Sequence, residues 1–158
     1  MNSAPCSIGY RRNSARRRAM ADVFTKAQRS VVMARVRSRD NVSTEMRMIG
    51  LLRAAGITGW RRHSRIFGKP DFVFQKAKVA LFVDGCFWHG CPRCKRVPTS
   101  SATFWRAKIA RNMRRDKKVS CQLRKQGWKV VRARECRLKT PTRFLNRLKA
   151  LTLRQRAE

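Results

Sequence analysis

Residues 83–94 read VDGCFWHGCPRC and bring a carboxylate, three cysteines, a histidine and two large aromatics into one short stretch. Each type carries its own chemistry. Asp84 can hold a hard cation, thiolates at C-x4-C-x2-C spacing can hold a soft one, and His89 can exchange a proton near neutral pH. Phe87 and Trp88 sit between Cys86 and His89, an expensive place to expose aromatic surface.

Cys86, Cys91 and Cys94 need one more ligand to close a tetrahedral zinc site, and Cys136 is the expected fourth. Cys121 falls within a helical pattern as a small core residue, and Cys6 lies in an N-terminal basic run. Three or four cysteines suffice for Zn²⁺, which frees His89 to act as a general base; its alternative is to replace a cysteine as ligand or to remain a polar loop residue.

The acidic residues are few: Asp22, Asp40, Glu45, Asp71, Asp84, Asp116, Glu135 and Glu158 against 40 Lys and Arg, for a net charge of +32. In such a chain an acid kept near the core calls for a reason. A hairpin centred between Lys76 and Ala77 sets Asp71 opposite Phe82 and on one face with Asp84, diagonal neighbours about 7–8 Å apart at the backbone. Two bare carboxylates at that spacing repel unless a divalent cation stands between them. Oxygen-only ligands suit Mg²⁺, which also binds substrate phosphate. The competing readings are that Asp71 caps a strand after Pro70 and that Asp84 belongs to an Asp-Gly turn. Glu45 either reaches the same cluster or stabilises a helix N-terminus.

Charge of this size attracts polyanions, nucleic acid before anionic membrane, for which no long amphipathic basic helix is seen. At 158 residues and 42% hydrophobic composition the chain has material for one domain with a real core. No apolar run spans a membrane and the basic N-terminus lacks the core of a secretory signal, so a cytoplasmic, nucleoid-associated location is expected. Residues 1–19 read as a disordered basic extension and 20–158 as the single domain.

The elements that must position these groups follow from pattern. NVSTEMRMIGLLRAAG predicts a helix capped by Ser43, with Met46, Ile49 and Leu52 inward and Gly56 at its end. An ambiguous extended segment follows over 57–63. PDFVFQ and KVALFVDG read as a hairpin, the second strand apolar enough to be buried on both faces. TFWRAKIARNMRRDKKVSCQLRKQG gives a long helix with Trp105, Ile109, Met113 and Leu123 inward, WKVVRA a strand, and TPTRFLNRLKALTL a last helix with Thr140 capping and Pro141 first. The fold class is α/β, a mixed sheet flanked by helices.

GKPDFVF, KVALFVDGCFWHGCP, FWRAKIARNMRRD and GWKVVRARECRL together resemble the very short patch repair endonucleases, bacterial DNA mismatch nicking enzymes with a restriction-endonuclease-like core. The similarity runs from about Met20 to Leu138. It implies that Asp71 holds catalytic Mg²⁺ with Glu45 nearby, that His89 activates water with Asp116 orienting it, and that Cys86, Cys91, Cys94 and Cys136 hold structural Zn²⁺. It implies that Phe87 and Trp88 wedge into the base stack, with Trp105 on the same platform and Met33 entering from an N-terminal arm. The alternative is that Phe87 and Trp88 cover the zinc cluster and Trp105 is helix core.

The chain departs from the best-known member, which has histidine at the position of Asp84 and at the zinc position of Cys91. The wider superfamily's lysine, two positions after the second acid, is replaced by Cys86. The substrate so implied is double-stranded DNA with a T:G mismatch, cut by a monomer, with mismatch-repair proteins as partners and a DNA cytosine methyltransferase as functional companion. Two rivals stand beside it: a non-catalytic zinc-stapled nucleic-acid-binding protein, and a nuclease of the same core acting on unmismatched DNA.

Overall fold

The computed structural model describes residues 27, 28, 30, 31, 40–94, 97, 98 and 101–153. Met33 and the basic extension 1–19 lie outside them. The described elements follow the order expected from pattern: α1 (Arg47–Ala54), strands β1 (Trp60–Arg61), β2 (Phe72–Phe74) and β3 (Val79–Asp84), α2 (Ala102–Lys125), β4 (Lys129–Arg134), a 3₁₀ turn (Glu135–Lys139) and α3 (Thr142–Leu153). The strands form one sheet in sequence order. The first two pairings are antiparallel and β3–β4 is parallel, with α2 as the crossover.

The hairpin has the expected register, with Phe72 opposite Leu81 and Phe74 opposite Val79. β3 is buried along its whole length because helices cover both faces. Val79, Leu81 and Val83 pack with Met48, Ile49 and Leu52 of α1 and Leu148 of α3. Ala80 and Phe82 pack on the other side with Leu123 of α2. Each wholly buried large side chain contributes roughly 1.5–3 kcal/mol through loss of apolar hydration.

Four expectations are corrected. Asn41, not Ser43, caps the first helix, its side chain accepting from the Ser43 amide at 3.0 Å. The chain then makes a π-helical turn, Val42–Met46, in which the Met46 amide reaches back to the Asn41 carbonyl at 3.1 Å. This wider turn displaces the inward face, leaving Met46 exposed and Thr44 and Glu45 buried. The inward stripe of α2 passes through Ser120 rather than Met113, which is exposed. Pro141 precedes α3 by one residue, its carbonyl accepting from Leu145 at 2.9 Å.

Candidate active site

Asp71 stands at the entrance to β2, and its Oδ2 accepts from the backbone amide of Val83 at 2.6 Å. Burial raises its pKa to about 6 against that hydrogen bond, and the negative charges of Glu45 and Asp84 raise it further. Among the described residues it has no ion pair, in contrast with both neighbours. A half-buried, charge-crowded carboxylate without an ion pair among the described residues fits a hard divalent cation, whose charge would offset the crowding.

The π turn delivers Glu45 to this region. Its Oε2 accepts from Arg62 at 2.6 Å, and the same nitrogen reaches Asp40 at 2.5 Å. Arg62 sits just after β1 and borders the ring of Phe72. Glu45 is therefore paired.

Asp84 ends β3 and meets Arg132 of β4. Arg132 donates from Nε to Oδ2 at 2.8 Å and from Nη2 to Oδ1 at 2.7 Å, a two-pronged ion pair. His89 Nδ1 lies 2.5 Å from Asp116 Oδ2 and 3.7 Å from Asp84 Oδ1. The structure thus gathers Asp84, His89 and Asp116 into one group whose ligand atoms lie within 4.8 Å of one another. Among the described residues Asp71 belongs to no such group of three or more, although it feels the charge of Asp84.

Further contacts fix the loop. Asn112 donates to the Trp88 carbonyl at 3.0 Å, and Arg134 to the His89 carbonyl at 3.2 Å. Asn112 and Asp116 explain why the inward face of α2 turns polar midway, where it meets this loop rather than the sheet. Gly90 has φ +57, and a β-carbon there would lie 2.8 Å from Met113 Sδ, so the loop passes close beneath α2.

The four cysteines converge as expected. The sulfurs of Cys86, Cys91, Cys94 and Cys136 lie within 4.8 Å of one another. Cys91 and Cys136 are 3.7 Å apart, beside the ~3.8 Å edge of a tetrahedron with 2.3 Å zinc–sulfur bonds. Burial opposes ionisation at Cys91. The amides of Cys94 and Arg93 and the neighbouring thiols outweigh it and bring its pKa to about 6. Burial pushes the Cys86 thiol up. Four converging sulfurs are the donor set a soft, tetrahedral cation takes, so the residues fit a metal. Glu135 braces the cluster by accepting from the Cys86 amide at 3.2 Å.

Phe87, Trp88 and Trp105 meet edge to face, with centroids 5.0, 5.2 and 5.9 Å apart. Phe87 and Trp88 are half-buried, whereas Trp105 is buried behind them. The exposed ring of this group is Phe104, and the Lys108 ammonium lies 5.3–5.8 Å from the centroids of Trp88, Trp105 and Phe104.

Sequence reasoning missed Arg132, Asn112, Arg62 and Phe104. Arg132 carries a usable signal, a charged residue midway along a strand, but its partner appears only once the parallel register sets it beside Phe82.

A family model described as DNA mismatch endonuclease Vsr matches residues 21–96. The chain is 37% identical over 134 residues to the type II nicking enzyme V.NmeAIP of Neisseria meningitidis serogroup A, spanning 84% of this chain and 94% of that protein. It is 41% identical over 113 residues to type II nicking enzyme V.NmeDIP of serogroup C, covering 70% and 76%. Against the DNA mismatch endonuclease Vsr of Escherichia coli K12 it is 37% identical over 122 residues, covering 76% and 77%. With a mixed sheet, a clustered set of four cysteines and a histidine–carboxylate group at the end of β3, the chain belongs to the Vsr family of DNA mismatch endonucleases.

Proposed function

We propose that the chain nicks one strand of duplex DNA at a T:G mismatch by Mg²⁺-dependent phosphodiester hydrolysis. The observation that carries this reading is the bond between His89 Nδ1 and Asp116, beside an Asp84 whose charge the half-buried Asp71 feels. A histidine anchored through Nδ1 presents Nε2 as the proton acceptor.

Asp71 would hold Mg²⁺ with Glu45 beside it. The ion, when bound, supplies neutralisation of the charge that develops on the scissile phosphate. His89 takes a proton from water as the water oxygen attacks phosphorus in line. The bond from phosphorus to the 3′-oxygen breaks and that oxygen takes a proton from solvent water, leaving 5′-phosphate and 3′-hydroxyl ends. Asp116 keeps the imidazole oriented and balances the positive charge it gains. Cys86, Cys91, Cys94 and Cys136 would hold Zn²⁺ and tie the catalytic loop to the end of β4.

Phe87 and Trp88 form the wedge that enters the base stack, with Trp105 as its rigid backing and Met33 reaching in from outside the described residues. Unstacking costs a few kcal/mol per step and least where pairing is weak, so a wedge favours a mismatch. T:G arises when 5-methylcytosine deaminates, which makes a DNA cytosine methyltransferase the functional companion. Mismatch-repair proteins are the proposed protein partners, the acting form is a monomer, and the cytoplasmic nucleoid is the site of action. Among the described residues no helix is long and apolar enough to cross a membrane.

The test incubates labelled duplexes, with and without one T:G pair, with wild type and Asp71→Ala in Mg²⁺. Nicking confined to the mismatched duplex and absent from Asp71→Ala is expected. Equal scission of both duplexes would mean a nuclease for unmismatched DNA, and binding without scission the zinc-stapled binder.

A further inference from the structure

Arg132 occupies the middle of the carboxylate–histidine group. Resting on the reading of His89 as general base, we infer that Arg132 is a positioning residue for the cleavage reaction. Together with Asp84 it forms a rigid unit that holds Asp116 against His89 and keeps Asp84 away from the catalytic metal.

Parallel pairing of β3 with β4 sets Arg132 beside Phe82, and its guanidinium lies 4.7 Å from the ring centroid. That stacking leaves the edge of the fork to face two carboxylates at once. Nε and Nη2 engage both oxygens of Asp84, at 2.8 and 2.7 Å, while Nη2 also stands 3.0 Å from Asp116 Oδ1. Nη1 reaches the Ser120 hydroxyl at 3.5 Å. One guanidinium therefore bridges the end of β3 to the inward face of α2.

Asp116 is consequently held from both sides, Oδ1 by Arg132 and Oδ2 by His89. Its carboxylate cannot turn without breaking an ion pair, so the imidazole it bonds is fixed too. Asp84, Asp116 and His89 superficially resemble a metal site, since their ligand atoms cluster within 4.8 Å. That cluster already contains a cation. A divalent ion ligated there would have to displace the fork from Asp84 or stand against its charge, whereas Asp71 has no ion pair among the described residues. Metal is therefore assigned to the Asp71 side and support of His89 to the Asp84 side.

The experiment uses the full chain with Asp84→Asn, Arg132→Met, Arg132→Lys, the Asp84→Asn/Arg132→Met double variant, and Asp71→Asn as metal-site control. Single-turnover nicking of the T:G duplex is measured across Mg²⁺ concentrations, and Mn²⁺ binding is measured separately by electron paramagnetic resonance. Asp84→Asn and Arg132→Met should each slow nicking about tenfold or more at saturating Mg²⁺, with duplex affinity, Mg²⁺ half-saturation and Mn²⁺ affinity near wild type. Arg132→Lys, which keeps the charge but not the fork, should recover part of the rate, and the double variant should be little worse than either single one. Asp84→Asn is near-isosteric and carries the test if Arg132→Met does not fold.

Weakening of Mn²⁺ binding by Asp84→Asn as severe as that by Asp71→Asn would overturn the assignment by making Asp84 a ligand. Wild-type rates in Arg132→Met would overturn the positioning role. Failure of the underlying nuclease reading would appear differently, as a wild-type protein that leaves the T:G duplex intact.

Discussion

The carboxylate of Asp71 takes its hydrogen bond from the backbone amide of Val83, at 2.6 Å, across the hairpin and one residue before Asp84. The acid proposed to hold metal is thereby fixed to the strand that ends at the histidine loop. Burial nonetheless lifts its pKa from 3.8 to about 6. A folded-state value above the unfolded one means that stability is fully present below about pH 4 and is lost as pH rises through about 6. The shift corresponds to a cost of order 3 kcal/mol when Asp71 is ionised in the metal-free protein. Asp71→Asn should therefore stabilise that protein by about 1–3 kcal/mol at pH 7.5 while abolishing nicking. Urea unfolding at pH 7.5 checks this, and the gain should vanish near pH 4.

The same carboxylate must be ionised to hold a cation. Millimolar Mg²⁺ should raise the melting temperature at pH 7.5 by several degrees and progressively less below about pH 6, where protons compete for Asp71. Asp71→Asn should show no Mg²⁺-dependent shift at either pH. A shift of equal size in the variant would place the cation elsewhere.

Removing the soft metal should loosen the loop and the end of β4 together. Cys136→Ser is expected to bind zinc far more weakly and to melt about 6–12 °C lower, the consequence of losing about 3 kcal/mol in a chain of this length. Elemental analysis of the purified protein and a thermal melt with and without chelator give the two readouts. Cys121, expected in the core, is instead on the exposed side of α2, and Cys121→Ser should match wild type in both.

Gly68 has φ +76, and a β-carbon there would fall 2.2 Å from Val119 Cγ1 on α2. Gly68→Ala should cost about 2–4 kcal/mol, combining backbone strain with displacement of a packed side chain. Gly56, at φ +63 with nothing within 4 Å, pays the backbone strain alone, so Gly56→Ala should cost about 1 kcal/mol. Comparing the two unfolding free energies separates packing from conformation.

The aromatic group gives a test of mismatch sensing. Trp88→Ala should reduce the preference for a T:G duplex over a matched one by about tenfold, with a smaller change in binding to matched DNA. Competition binding at constant salt measures this preference. Equal losses on both duplexes would assign Trp88 to packing over the cysteine cluster.

Periodicity and turn chemistry suffice for the hairpin: Phe72 opposite Leu81 follows from the turn at Lys76–Ala77, and the unbroken apolar run 79–83 signals burial on both faces. Cysteine spacing likewise brings Cys86, Cys91, Cys94 and Cys136 together, because few other arrangements explain that spacing in so basic a chain. Asp84 shows where this kind of reading stops. Its partner Arg132 is 48 residues away and meets it only through parallel pairing, which no local pattern encodes. Met46 and Glu45 were harder still, since a single wide turn exchanges which of them faces inward. Asn112 and Asp116 fall within the helical pattern of α2, but the polar break they make in that helix makes sense only against the loop it covers.

The cysteine cluster also has a consequence in time. Cys136 follows Cys91 by 45 residues, with all of α2 and β4 between them. During synthesis the loop bearing His89 emerges well before the cysteine that closes its clasp. The nascent chain therefore carries the His89 loop without its fourth cysteine until α2 and β4 have been made.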